Sequence, residues 1–130
     1  AINPNNLICR TIKLLRKKFP ELGLICDIAL DPYTKSGHDG ILGSNGLVEN
    51  DKTIKILSKM SLNFAEAGCQ MIAPSDMMKN TTKYLRKIFT QNGFSNSQIM
   101  SYSTKFKSHF YGPFRDVAKS SPKGFASLIL

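Results

Sequence analysis

The chain has 130 residues, 42% of them apolar and 21% charged, a balance that suits one globular domain and excludes a disordered or fibrous chain. Eighteen Lys and Arg oppose nine Asp and Glu for a net charge of +9, yet 14 of the 18 are Lys, whereas nucleic-acid sites draw on the guanidinium fork of Arg; no nucleic-acid partner is expected. No apolar run is long enough to span a bilayer and Ala1-Ile2-Asn3-Pro4 is no signal peptide, so the expectation is a cytoplasmic chain without a membrane partner, and the lack of an initiator Met makes a processed or excised product the expected origin.

Asn3-Pro4 is a helix-start signal. Leu7, Ile8, Ile12, Leu14, Leu15 and Phe19 recur at helical spacing, with Lys13, Arg16 and Lys17 on the opposite side, and Pro20 ends the helix. Leu22 to Leu30 is a nearly continuous apolar run, the pattern of a parallel strand buried on both faces. A polar, Gly-rich stretch follows from Asp31 to Gly46. Asn50 or Asp51 can cap a second helix, with Ile54, Leu57, Phe64 and Ala65 inward and Gly68 as its stop. Met71 to Ala73 is a short strand halted by Pro74. A third helix is expected from Met78 to Asn92, with Tyr84, Leu85, Ile88 and Phe89 inward, then a strand from Ile99 to Tyr102. Phe110 to Asp116 is aromatic and irregular and opens a further helix on this reading. Cys9, Cys26 and Cys69 are odd in number and include no CxxC pair, so buried reduced thiols are expected rather than disulfides or a zinc site.

Alternating strands and helices imply βαβ units and a parallel sheet. The polar residues gather where the strands end: Asp27 and Asp31 at the carboxyl end of the first, Ser75 and Asp76 after the second, Ser101, Ser103 and Lys105 after the third. In a doubly wound sheet and in a (β/α) barrel alike, that edge carries the active site. Neither GxGxxG nor GxxxxGK[ST] is present, which favours the barrel. A closed barrel takes about 250 residues, so the expected fold class is α/β, a (β/α)8 TIM barrel that is incomplete, with about three parallel strands and their helices.

Lys105, just past a strand end, is the leading candidate nucleophile. A lysine in a partly desolvated pocket can attack a ketone and form a Schiff base, more readily beside a second cation such as Lys107; the plain alternative is a solvated surface lysine. Asp27 interrupts an apolar strand, either as a functional carboxylate or as half of a structural ion pair. The loop from Asp31 to Gly40 holds two carboxylates and His38 without the EF-hand spacing, and His38 with His109 makes no zinc site. Tyr102, Phe106, Phe110, Tyr111 and Phe114 interleave with Lys105, Lys107 and Arg115. A packed aromatic wall with one inward Arg is preferred to a base-stacking platform, because Gly112-Pro113 forces a turn.

These residues also carry a resemblance. Ile99 to Ser120, IMSYSTKFKSHFYGPFRDVAKS, resembles the active-site signature of the porphobilinogen synthase (5-aminolevulinic acid dehydratase) family. Asp27 to Leu42, DIALDPYTKSGHDGIL, resembles that family's metal-switch loop, and Asn3 to Arg10, Phe19 to Asp27, Asn50 to Thr53 and Ala65 to Met78 are similar in the same order. The resemblance implies a (β/α) barrel that condenses two 5-aminolevulinate molecules to porphobilinogen through lysine Schiff bases. It implies Lys105 as the lysine of the second-bound substrate, Arg115 as the binder of that substrate's carboxylate, and Asp27, Ser75 and Tyr111 as substrate-pocket residues. Zinc-dependent members carry three cysteines in the loop where this chain has Ala29, Asp31 and Asp39. No catalytic zinc is therefore expected; hard carboxylates suit magnesium or a monovalent ion, and the resemblance is to the branch often stimulated by magnesium, whose magnesium ligand would lie beyond residue 130.

Residues 1–123 read as a partial barrel of this family and residues 124–130 as a divergent tail. The family's second Schiff-base lysine, its remaining carboxylate binders and the arm that knits its octamer are not found in this sequence. The expectation is an enzyme polypeptide that is incomplete and inactive alone, with octamer formation doubtful. Two alternatives stand beside it: a non-catalytic remnant binding through its basic surface, and a residual single-lysine Schiff-base enzyme.

Overall fold

The computed structural model describes residues 1–106 together with 109, 110, 113 and 117. The first helix, α1, runs Leu7–Lys18. Its cap is Asn6, whose side chain accepts from the Cys9 N–H at 2.8 Å. The start expected at Asn3-Pro4 is displaced because the Asn3 side chain instead accepts from the Asn5 N–H, closing a turn ahead of the helix. The buried stripe is also narrower than the periodicity predicts: α1 buries Cys9 and Ile12, while Leu7 and Leu14 are 67% and 52% exposed.

The strands are β1 (Ile25–Ile28), β2 (Met71–Pro74) and β3 (Gln98–Ile99). They form one parallel sheet in the order β1-β2-β3, with Ile25 opposite Met71 and Met71 opposite Gln98. Between them lie α2 (Asn50–Ala67) and α3 (Thr81–Gln91). The helix α2 packs against α1 on one side, α3 on the other and the sheet beneath. All three helices therefore cover one face of the sheet, whereas a doubly wound sheet divides its helices between two faces. The arrangement is an incomplete α/β barrel wall.

The core lies between α2 and the sheet. Leu57 and Phe64 of α2, Ile28 of β1, Ile72 of β2, and Leu85 and Phe89 of α3 are fully buried, each contributing about 1.5–3 kcal/mol of transfer free energy. Gly68 ends α2 at φ +110°, a left-handed cap in which its N–H bonds Ala65 O and the next N–H bonds Phe64 O. The cap of α2 at its start is Glu49, not Asn50 or Asp51; the Asn50 side chain is occupied in accepting from the Lys79 N–H at 2.8 Å.

Three other expectations change. The run Leu22–Leu30 is not one strand buried on both faces. It is strand only at Ile25–Ile28, and its residues alternate in exposure. Upstream, the Leu24 N–H is taken by the Gln70 side chain; downstream, Leu30 O accepts from the Tyr33 and Thr34 N–H groups and starts a 3-10 turn. Cys26 and Ile28 face the helices, while Ile25 (56% exposed) and Asp27 face away. The third helix begins at Thr81 rather than Met78, because Asp76 accepts from both the Met78 N–H and the Thr81 hydroxyl at 2.7 Å and holds residues 76–80 in a turn. β3 is regular only over two residues. Bonds from the Met100 and Tyr102 N–H groups to Ile72 O and Pro74 O carry the ladder on, but Pro74 has no N–H to return the next rung.

Candidate active site

The ends of the three strands are tied together by the backbone. The Ser75 N–H donates to Ile28 O at 2.9 Å and the Tyr102 N–H to Pro74 O at 3.2 Å. The residues that follow each strand are thereby brought to one edge. Ser75 is buried, and its hydroxyl accepts a hydrogen bond from Lys105 Nζ at 2.5 Å. The same ammonium nitrogen lies 5.3 Å from the centroid of the Tyr102 ring, within cation–π range. Lys105 itself is exposed on the outer side of this edge.

Asp27 sits on the open face of β1, opposite Ala73 of β2. The residue is exposed, yet the protein around its carboxyl removes part of its hydration. Loss of hydration pushes its pKa above the usual carboxylate value; the Lys105 cation offsets part of that rise, and the Asp31 charge adds to it. Asp39 is shifted upward too, first by burial and then by repulsion from Asp31, with Lys105 and His38 pulling the other way. Asp27, Asp31, Asp39 and Lys105 thus share one electrostatic neighbourhood, reached from two strand ends and the loop between β1 and α2.

That loop is held closely. Thr34 Oγ1 donates to His38 O at 2.9 Å, and His38 Nδ1 accepts from the Gly40 N–H at 3.1 Å. A bridge joins Leu42 to Val48. Thr53 of α2 accepts from the Ile41 N–H at 3.0 Å and donates to Glu49 O at 2.8 Å. Gly40 leaves no room for a side chain: a Cβ there would stand 2.4 Å from a Val48 methyl. Asp39 is therefore set between a hydrogen-bonded His38 and a tightly packed Gly40.

The loop supplies two carboxylates at 31 and 39 and a methyl at Ala29, with no thiolate. Among the described residues no group of three or more His, Cys, Asp or Glu side chains is arranged to hold a metal ion. The loop offers no thiolate for a cysteine-type zinc site, and carboxylate oxygens suit a hard cation. The cysteines lie elsewhere as free thiols, Cys9 and Cys69 buried and Cys26 half-buried.

Of the sequence-derived site residues, Lys105, Ser75 and Asp27 come together at the strand ends. Lys107, Tyr111, Arg115 and the tail 124–130 lie outside the described residues. Two contributors were not singled out as site residues by the sequence reading: Tyr102 under Lys105, and Thr53 behind the loop. Tyr102 is read from sequence only as part of an aromatic wall; its spacing three residues ahead of the lysine is the signal that could have tied it to Lys105.

Comparison with known proteins gives a consistent result. The family model for delta-aminolevulinic acid dehydratase matches residues 1–126. The chain is 48% identical over 121 residues to the delta-aminolevulinic acid dehydratase of Bradyrhizobium diazoefficiens, covering 93% of this chain and 34% of that protein. It is 46% identical over 123 residues to the chloroplastic enzyme of Chlamydomonas reinhardtii, covering 95% and 32%. Among solved structures, the porphobilinogen synthase of Toxoplasma gondii in complex with its product porphobilinogen superposes with a TM-score of 0.89 at 40% identity, over 95% of this chain and 36% of that one. The chain spans about a third of the length of these relatives. A match across nearly all of its residues, on a wall of parallel strands whose ends assemble a lysine, a serine and an aspartate, places this chain in the delta-aminolevulinic acid dehydratase family.

Proposed function

We propose that this chain carries one of the two Schiff-base half-sites of a porphobilinogen-forming enzyme and that it is inactive alone. The observation that carries this reading is the seating of Lys105 Nζ on the buried Ser75 hydroxyl at the carboxyl edge of the sheet. In the reaction class, a free lysine amine adds to the C4 ketone of 5-aminolevulinate. The C–N bond forms, both amine protons leave with the ketone oxygen as water, and an imine remains. The Ser75 hydroxyl orients the nitrogen, and Asp27 stands within electrostatic reach of it. By resemblance, Arg115 binds the substrate carboxylate and Tyr111 lines the pocket. A second lysine, which this sequence does not supply in the family's position, is needed to hold the other substrate molecule.

By resemblance the cation of this branch is magnesium or a monovalent ion; the carboxylates of Asp31 and Asp39 favour such hard ions over zinc. Free thiols in the core agree with a reducing, cytoplasmic setting. No helix among the described residues is long and apolar enough to cross a membrane.

The test is incubation of the purified chain with 5-aminolevulinate and borohydride, followed by peptide mapping. A reduced adduct concentrated on Lys105, with no porphobilinogen released, is the expected result. Labelling scattered evenly over the 14 lysines would overturn the reading.

A further inference from the structure

We infer that Tyr102 is a positioning residue for Lys105, and that its aromatic ring, together with the Ser75 hydroxyl, sets where the reactive amine stands. The inference rests on the Schiff-base reading above and assigns a role to a residue outside the expected pocket set.

A lysine side chain has four rotatable carbons and about 2 kcal/mol of rotamer entropy. Lys105 lies beyond the last strand and is exposed, so regular secondary structure does not restrain it. Among the described residues its restraint comes from two contacts, the hydrogen bond to Ser75 and the ring of Tyr102 beneath the nitrogen. Tyr102 is itself on a fixed stalk. Its N–H is bonded to Pro74 O, one residue before Ser75. One residue later the Ser103 N–H bonds Ser101 O and turns the chain back. The backbone that fixes the ring is thus the backbone that fixes the serine, and Lys105 is clasped between the two.

The ring also faces a competition. The carboxylates of Asp27 and Asp39 both interact with Lys105, and either could draw the ammonium into an ion pair away from the strand end. An aromatic face attracts the cation without offering an oxygen to receive its proton. Tyr102 is 46% exposed as a residue, and its ring centroid stands 5.3 Å from the nitrogen.

The experiment uses levulinate as the ketone probe and cyanoborohydride as the hydride donor, on the purified full chain. The amine and ketone condense with loss of water; hydride adds to the imine carbon and a water proton to nitrogen, leaving a stable secondary amine. The readout is the adduct on Lys105 divided by the mean adduct on the other lysines of the same molecule, which cancels differences in concentration. Y102F keeps the aromatic face, and its ratio should match the wild type. Y102L and Y102T remove the face, and their ratio should fall roughly two- to five-fold as the amine loses its placement; a rise, the outcome if the ring did no more than favour the unreactive ammonium over the free amine, overturns the inference. Circular dichroism melts select whichever of the two retains the fold.

An unchanged ratio in a folded Y102L or Y102T chain overturns the inference and leaves the Schiff-base reading in place. A fall in Y102F equal to that in Y102L assigns the effect to the phenol hydroxyl and overturns the role of the ring. A wild-type chain without preference for Lys105 overturns the Schiff-base reading and this inference with it.

Discussion

Replacing Thr53 by Val tests the link between the core and the acidic loop. Thr53 is fully buried, and its hydroxyl serves two partners, the Ile41 N–H at 3.0 Å and Glu49 O at 2.8 Å. Valine keeps the shape and removes both bonds. Glu49 O retains the backbone N–H of residue 53 at 3.0 Å, so its loss is small, on the order of 0.5 kcal/mol. The Ile41 N–H is left without its acceptor in a half-buried setting, which costs roughly 1–2 kcal/mol. The expected destabilisation is about 2 kcal/mol, or about 6–10 °C in Tm for a domain of this size. Because Ile41 stands two residues after Asp39 and burial is the main cause of that carboxyl's upward shift, T53V should also let Asp39 titrate closer to an ordinary carboxylate. Urea denaturation reads the first effect and carbon-detected NMR titration the second. T53S keeps the hydroxyl and should leave the titration of Asp39 as in the wild type. A loss below about 0.5 kcal/mol, or an Asp39 titration identical in all three chains, would refute the reasoning.

The carboxyls of Asp27 and Asp39 are raised in the folded chain above their unfolded values. The native state therefore holds extra protons between the two values, stability falls as pH rises through that window, and the penalty is constant above it. D39N should raise Tm at pH 7 and leave it unchanged near pH 3; an equal effect at both would sink this account. Gly68→Ala should cost about 1–3 kcal/mol, since φ there is +110° and the new Cβ would lie 2.9 Å from the Arg16 side chain, and a melt within 1 °C of the wild type would count against it. The Cys26 thiol is held up first by its hydrogen bond with Cys69 and then by burial, so iodoacetamide at pH 8 should spare it in the native chain; prompt alkylation would show that the thiol is not so held.

Those parts of the fold governed by local rules were legible in the sequence. Gly68 marked the end of α2 because a left-handed cap needs it there. Asp27, Ser75 and Lys105 shared an edge because Asp27 lies near the carboxyl end of one parallel strand and the other two residues follow the next two. What escaped was settled by competition among side chains for backbone groups. Asn3 looked like a cap but closed its own turn, and Asn6 took the helix. Asn50 looked like a cap but bonded Lys79. Asp76 delayed α3 by occupying Met78 and Thr81. The two-faced burial expected of β1 failed for another reason. An apolar run states that a strand can be covered on both sides, and the helices α1, α2 and α3 cover only one.

The open face bears on the chemistry. A closed barrel fills its interior with layers of side chains. Here Ile25, Met100 and Tyr102, pointing away from the helices, remain about half exposed. Water therefore reaches the space beside Asp27 and Lys105. A pair of unit charges 4 Å apart is worth about 1 kcal/mol in water and about 4 kcal/mol at the effective dielectric of a protein surface. The strand-end geometry is set by short-range bonds between sequential strands, and it is present in these residues on their own. The field that makes such a geometry reactive depends on excluding water, which takes walls on the other side of the sheet. Lys105 should therefore be found in its place, yet react with a ketone more slowly than a lysine in an enclosed barrel, and apolar cover on the open face should raise the trapping rate without moving the site of the adduct.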